Sequence, residues 1–242
     1  MNRVALSGLA CALAAGCAAQ RLSVPIVPPL ISPPKAAVLW AERFDALDPG
    51  AWREVEVHGR TRYDIVRLED RVCLRATSED SASILLHAIR YDPDDTEWLS
   101  WIWRVDEPVA GEALETKPGS DAAARVYVYF ETSGLPWQKR SLDYVWSSRE
   151  PEGRVFPSAF SSGSKIIVAE SGPGGHWRFE ERNIEADYRM AFGEDPPRVA
   201  AIGIMTDADN SGGRAVAHYD DVRVSREPLL PLRRHSGKGN AP

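Results

Sequence analysis

Cysteine is scarce in this chain of 242 residues, with Cys11, Cys17 and Cys73 alone. Only Cys73 falls outside the N-terminal leader region, so no internal disulfide is expected. A lone cysteine in the strand-like stretch RVCLRAT reads as a buried, inert thiol. His176 and His218 are lone histidines with no ligand spacing, and zinc is not expected. Basic excess is absent too. A formal net charge of −6 argues against a general nucleic-acid binder, which needs a basic patch to neutralise phosphates. Past the N-terminus no apolar run is long enough to span a bilayer. The sequence carries no G-x-S-x-G, no phosphate-cradling glycine loop and no dinucleotide fingerprint.

What the chain does have is aromatic surface and alternation. Eight tryptophans and seven tyrosines supply material for a core and for a binding face. Hydrophobic residues make up 43% and charged residues 26%, an ordinary globular balance.

The N-terminus reads as an export signal over residues 1–16. Arg3 gives the positive start, and residues 4–15 form a short apolar, small-residue run. Ala14-Ala15-Gly16-Cys17 then resembles the lipobox of bacterial lipoproteins, with Ala14 where leucine is usual. Cleavage before Cys17 and lipidation of Cys17 are expected; the alternative is ordinary secretion with a cut after Ala19. Ala18 resembles the signal for sorting to the outer membrane, facing the periplasm. Residues 17–36 hold five prolines and read as an extended tether. A domain is expected over 37–228, followed by a basic, disordered tail over 229–242 carrying Arg233, Arg234 and Lys238.

The strongest pattern lies between 97 and 131. Leu99, Trp101, Trp103 and Val105 alternate with Trp98, Ser100, Ile102 and Arg104. Further on, Val126, Val128 and Phe130 alternate with Arg125, Tyr127, Tyr129 and Glu131. Other strands are expected in VLWAERFD, RYDIVRL, RVCLRAT, SASILLHAI, SLDYVWSS, KIIVAE, HWRFEERN, RVAAIGIMT and RAVAHYDDVRV, with DPGAW read as a turn. One helix is expected over IEADYRMAF, with Asn183 as its cap and Gly193 ending it. Some ten to twelve strands with one short helix near 184–192 predict an all-β fold, an antiparallel, jelly-roll-like sandwich of the kind seen in carbohydrate-binding modules and lectins.

Several stretches together resemble one bacterial family, the domain-of-unknown-function family numbered 3047. They are WAERFD, SEDSASIL, WIWRV, KPGSDAAARVYVYF, LDYVWSS, the pattern W-x-x-E-x-R-N-x-x-x-D-Y-R-x-A-F-G over residues 177–193, and IMTDADNSGG followed by YDDV. The resemblance runs from Trp40 to Val224. It implies an exported β-sandwich and brings no established activity. Ser120-Asp121 stands where the family tends to carry an acidic pair, and Asp143 where asparagine is usual.

Four constellations are candidates for chemistry. Arg125, Tyr127, Tyr129 and Glu131 share one strand face, which Tyr144 and Trp146 are expected to extend; rings there would stack on sugars while Arg and Glu fix hydroxyls. The alternative is plain core or solvated sheet. Asp207, Asp209 and Ser211 alternate before Gly212, as in a structural-calcium loop, although His218 stands where such a loop would end in glutamate. The alternative is a hairpin turn. A weaker ion site would join Glu42 or Asp45 to Asp220 or Asp221. Lastly, Trp177, Glu180, Glu181, Arg182, Asp187, Tyr188 and Arg189 form a charged cluster, read either as catalytic or as a salt-bridge network pinning the helix. Asp121, Glu131 and Glu180 are the catalytic candidates.

The expected function is that of an exported, lipid-anchored envelope protein whose sandwich binds a carbohydrate or cell-envelope glycan. Its partners would be a glycan and, through Cys17, a membrane; nucleic acid is not expected. The alternatives are a polysaccharide hydrolase or lyase on the same scaffold, and an envelope scaffold contacting protein. The oligomeric state is not legible.

Overall fold

The alternation around residue 100 sets the architecture. In the strand β6 (Trp98–Glu107) the side chains of Leu99, Trp101, Trp103 and Val105 are fully buried in one large core. Ile102, on the opposite face, packs with Cys73 and Trp177 in a separate small cluster outside the sheet. In β7 (Ala124–Phe130), Val126, Val128 and Phe130 enter the same large core from the other side. Two sheets thus share one apolar interior, the arrangement that period-two strands demand when each has one face to bury.

The computed structural model of the protein describes residues 37–132 and 140–229. The signal, Cys17, the tether and the basic tail beyond 229 lie outside the described residues. The other strands are β1 (Val38–Glu42), β2 (Trp52–His58), β3 (Arg62–Leu68), β4 (Arg71–Glu79), β5 (Ala82–Tyr91) and β8 (Arg140–Ser147). They continue with β9 (Val155–Pro157), β10 (Ser164–Ser171), β11 (Arg178–Asn183), β12 (Val199–Asp207) and β13 (Arg214–Ser225). One sheet runs β11-β6-β13-β4-β3, with β1 also paired to β13; the other runs β2-β5-β12-β7-β8-β10-β9. All pairings are antiparallel except β8 with β10. The fold is the jelly-roll-like β-sandwich the pattern predicts.

Tryptophans hold the interior. Trp101 meets Trp103 edge to face, with centroids 5.3 Å apart at 86°, and Trp103 continues to Trp146 at 5.8 Å. Each such ring removes roughly 150–250 Å² from water. The helix α1 (Ile184–Phe192) follows β11 directly and packs Ile184 and Tyr188 into the large core. The Asn183 side chain accepts from the Ala186 N–H at 2.8 Å, and Gly193 leaves the helix at φ 76°.

Two strands escaped the sequence reading. β2 begins at Trp52, inside the stretch read as a turn. It is an edge strand whose WREVEVH puts charge on both faces and blurs the alternation. β9 is three residues in a loop rich in serine, proline and glycine.

Candidate functional site

β7 is a central strand of the seven-stranded sheet, and its outward face carries Arg125, Tyr127 and Tyr129. A cavity of about 330 Å³ opens over them. Its apolar wall is a cluster in which Tyr127 and Tyr129 pack with Met205 and Ile84. The two tyrosine rings stack on each other, centroids 5.4 Å apart at 12°, and the Tyr127 hydroxyl donates to the Met205 sulfur at 3.4 Å. Gly203 of β12 makes room for them. A Cβ there would lie 3.2 Å from Tyr129 Cε2 and 3.0 Å from Ile84 Cγ2. Val57 and Phe160 line the cavity and are 60% and 59% exposed, large apolar groups left facing water at its rim.

The floor is polar and buried. Arg125 Nε donates to Asp207 Oδ1 at 3.1 Å, and Arg125 Nη2 donates to the Ser120 carbonyl. Burial opposes the guanidinium charge, and the Asp207 carboxylate outweighs it, so the Arg125 pKa ends raised. For Asp207, burial dominates and pushes its pKa up to about 6, against the pull of Arg125 and of the Ala122 N–H. On the other side of β7, Asp143 Oδ1 accepts from Ser141 Oγ at 2.7 Å and Oδ2 from Ser164 Oγ at 2.6 Å. Burial raises the Asp143 pKa, while the two serine hydroxyls and Arg125 lower it.

Register corrects one expectation. Tyr144 sits opposite Val126 and Asp143 opposite Tyr127. Directly opposed residues in a sheet share a face. Tyr144 and Trp146 therefore belong to the interior, both essentially unexposed, and do not extend the Arg125 face. Ser141 and Asp143 take that place. Glu131 also leaves the group: it lies past the end of β7 and pairs with Arg90 at 3.3 Å near the surface.

The three catalytic candidates are not brought together. Asp121 is fully buried beside the cavity and accepts from the backbone N–H of Asn210 (3.0 Å) and of Ser211 (2.7 Å) and from Asn210 Nδ2 (2.9 Å). Glu131 is at the surface. Glu180, on β11 of the other sheet, turns inward and accepts from Trp103 Nε1 at 3.2 Å. Burial, with repulsion from Glu170 behind it, pushes its pKa up to about 8. Around it the charged cluster is a network that pins the helix. Arg182 grips Asp187 with two bonds of 2.8 Å, and Tyr144 donates to the same carboxylate at 2.8 Å.

Of the calcium-loop residues, Asp207 and Asp209 do converge, and the third carboxylate is Asp121. One oxygen from each lies within 4.8 Å of the others. Ser211 contributes its backbone N–H to Asp121. Hard carboxylate oxygens suit calcium in kind, but Asp207 is already held by Arg125 and Asp121 by three N–H donors. At the weaker ion site Asp220 pairs with Arg71 at 2.8 Å and Asp221 with Arg223 at 2.6 Å, while Glu42 accepts from Trp52 Nε1 at 3.0 Å.

Sequence reasoning missed Asp143, Ser141, Ser164 and Gly203 as parts of this site. Alternation within SLDYVWSS separates Ser141 and Asp143 from Tyr144, and only pairing with β7 shows which set faces outward.

Solved structures similar to this chain include the family 11 carbohydrate-binding module of the cellulosomal cellulase Lic26A-Cel5E of Clostridium thermocellum. It shares 9% identity over 78% of this chain and 92% of that one, with a TM-score of 0.42. The cellulose induced protein Cip1 shares 9% identity over 78% and 97%, with a TM-score of 0.46. The xyloglucanase domain of NopAA from Sinorhizobium fredii, in complex with cellobiose, shares 10% over 74% and 95%, with a TM-score of 0.43. No curated protein matches the sequence. The family profile that does match spans residues 50–223, most of the chain, and the protein belongs to the family of proteins of unknown function DUF3047.

Proposed function

We propose that this is an exported glycan-binding protein, tethered through a lipid on Cys17 to the periplasmic face of the outer membrane. Its ligand would occupy the outer face of the seven-stranded sheet. The observation that carries this reading is the cavity over β7, which joins an aromatic and apolar wall (Tyr127, Tyr129, Phe160) to a buried polar floor (Arg125, Asp143, Asp207). Sugars present just this pair of surfaces: apolar ring faces bounded by hydroxyls.

Binding is favoured over hydrolysis because a free acid and base must flank one bond: Asp121, Glu131 and Glu180 lie in three different places, and of the carboxylates at the cavity Asp207 is held by Arg125 and Asp143 by two serines. A lyase would need a free arginine to stabilise a developing anion, and two of the Arg125 nitrogens are engaged by Asp207 and Ser120. Calcium at Asp121, Asp207 and Asp209 would be a weak structural ligand rather than a catalytic one.

The test is retention on gels cast with bacterial envelope polysaccharides, with release of new chain ends recorded in parallel. The wild-type protein is expected to be retained without releasing ends. A folded Tyr127→Ala/Tyr129→Ala double variant is expected to lose at least about tenfold in affinity, since each stacking aromatic is worth on the order of 1 kcal/mol. Undiminished retention of that variant would refute the site, and chain-end release would make the protein an enzyme.

A further inference from the structure

We infer that the cavity over β7 selects glycans carrying a free, protonated amino group, such as hexosamine units without their acetyl. The inference rests on the glycan-binding reading and adds the chemical class of the sugar.

Two independent features lead to it. The first is a charge imbalance. The charged residues lining the cavity are Arg125, Asp143, Asp207 and Asp209. Arg125 forms its ion pair with Asp207. Among the described residues, Asp143 and Asp209 have no ion-pair partner, although Asp143 is only 3% exposed. Asp121 adds a further carboxylate behind Asp209 and repels it. A cationic ligand would meet two carboxylates outside any ion pair, Asp143 being offset only in part by the Arg125 it shares with Asp207.

The second is a proton count. Ser141, Asp143 and Ser164 form a triangle of close contacts: 2.7 Å and 2.6 Å from the hydroxyls to the carboxylate, and 2.9 Å between the two hydroxyl oxygens. Each hydroxyl has one proton to give. With Asp143 ionised, both protons go to the carboxylate and the contact between the serine oxygens has none, so the triangle closes only when one more proton enters it, either on Asp143 itself, whose pKa burial raises, or from a ligand. The three groups are all at least nine-tenths buried, so a missing proton there is costly. An ammonium group above the triangle supplies both what the count lacks, an N–H donor, and what the charge balance lacks, a positive charge. A uronate supplies neither: its carboxylate only accepts, and it would face Asp143 and Asp209. The walls then explain why the amine should come on a sugar, because Tyr129, Ile84, Val57 and Phe160 offer broad apolar surface that a ring face covers better than the thin chain of a polyamine.

The experiment compares two β-1,4-linked tetramers by calorimetry on the full-length protein, at about pH 6 with chelator present, where a sugar amine is charged. Cellotetraose and fully deacetylated chitotetraose differ only in a hydroxyl or an ammonium at each second carbon. The amino sugar is expected to bind at least about tenfold more tightly, because charged hydrogen bonds exceed neutral ones by that order. The preference should shrink with added salt.

A protein of net charge −6 attracts any polycation weakly, so Asp143→Asn separates the site from the background. The amide closes the proton count without a charge, and the preference for the amino sugar should fall about tenfold. Asp209→Asn, nearer the surface, gives the same readout should the first variant not fold. An unchanged preference in a folded variant, or equal binding of spermidine, would overturn the inference. So would cellotetraose binding as tightly as the amino sugar, which would leave the glycan-binding reading intact. Binding of neither tetramer, nor of any envelope glycan, would sink both.

Discussion

Glu180→Gln should stabilise this protein, and the gain should grow with pH. The Glu180 carboxyl faces the tryptophans of the interior and accepts from Trp103 Nε1. Burial, with Glu170 adding repulsion, pushes its pKa up to about 8 from an ordinary 4.5. The sign follows directly. The folded protein holds this proton more tightly than the unfolded chain does, so between these two values the folded state binds more protons and stability falls as pH rises. Each pH unit in that window costs about 1.4 kcal/mol. From pH 4.5 to neutrality the loss is therefore about 3 kcal/mol, and it approaches about 5 kcal/mol above pH 8. Glutamine keeps the carbonyl that Trp103 needs and cannot ionise. Glu180 retains some contact with solvent, so a gain of roughly 2–3 kcal/mol at neutral pH is the working figure. Urea unfolding of both proteins at about pH 5, 7 and 8.5 measures it. Curves that stay parallel across pH, or a variant less stable than wild type at the alkaline end, would refute the reasoning. Glu180 lies on the sheet opposite the cavity, so the variant should retain glycan binding unchanged.

Arg125→Met leaves Asp207 buried without its partner and should cost about 3–5 kcal/mol at neutral pH; adding Asp207→Asn should recover part of that loss in a double-mutant cycle followed by urea melts. Gly203→Ala places a methyl 3.2 Å from the Tyr129 ring and 3.0 Å from Ile84, so about 1–3 kcal/mol of stability and a measurable share of glycan affinity should be lost together. Chelator should lower the melting temperature only slightly, since calcium would compete with Arg125 for Asp207; a shift of many degrees would show that Asp121, Asp207 and Asp209 hold a tight metal.

The features legible in the sequence were those set by neighbours along the chain. Leu99, Trp101 and Trp103 announce an interior face because a strand alternates. Asn183 and Gly193 announce the helix because capping is local chemistry. The face carrying Arg125, Tyr127 and Tyr129 is found as one face for the same reason. What alternation cannot give is register between strands. Tyr144 and Trp146 looked like partners of that face, yet the pairing of Tyr144 with Val126 turns them inward and brings Asp143 out. The convergence of Asp121 with Asp207 and Asp209 depends on a loop before β7 meeting the turn after β12, which nothing local encodes. Glu180 depends on pairing in the same way: its reach to Trp103 Nε1 follows from β11 lying against β6, which its charged stretch does not encode.

Amide hydrogen exchange with and without a bound envelope glycan digest would locate the ligand most directly. Protection should appear in β7, in the Ser141–Asp143 part of β8 and in the segment around Phe160 and Ser164, with the six-stranded sheet unchanged. Protection confined to β3, β4 and β6, or none in β7 while glycan is retained, would contradict a ligand site on the outer face of the seven-stranded sheet.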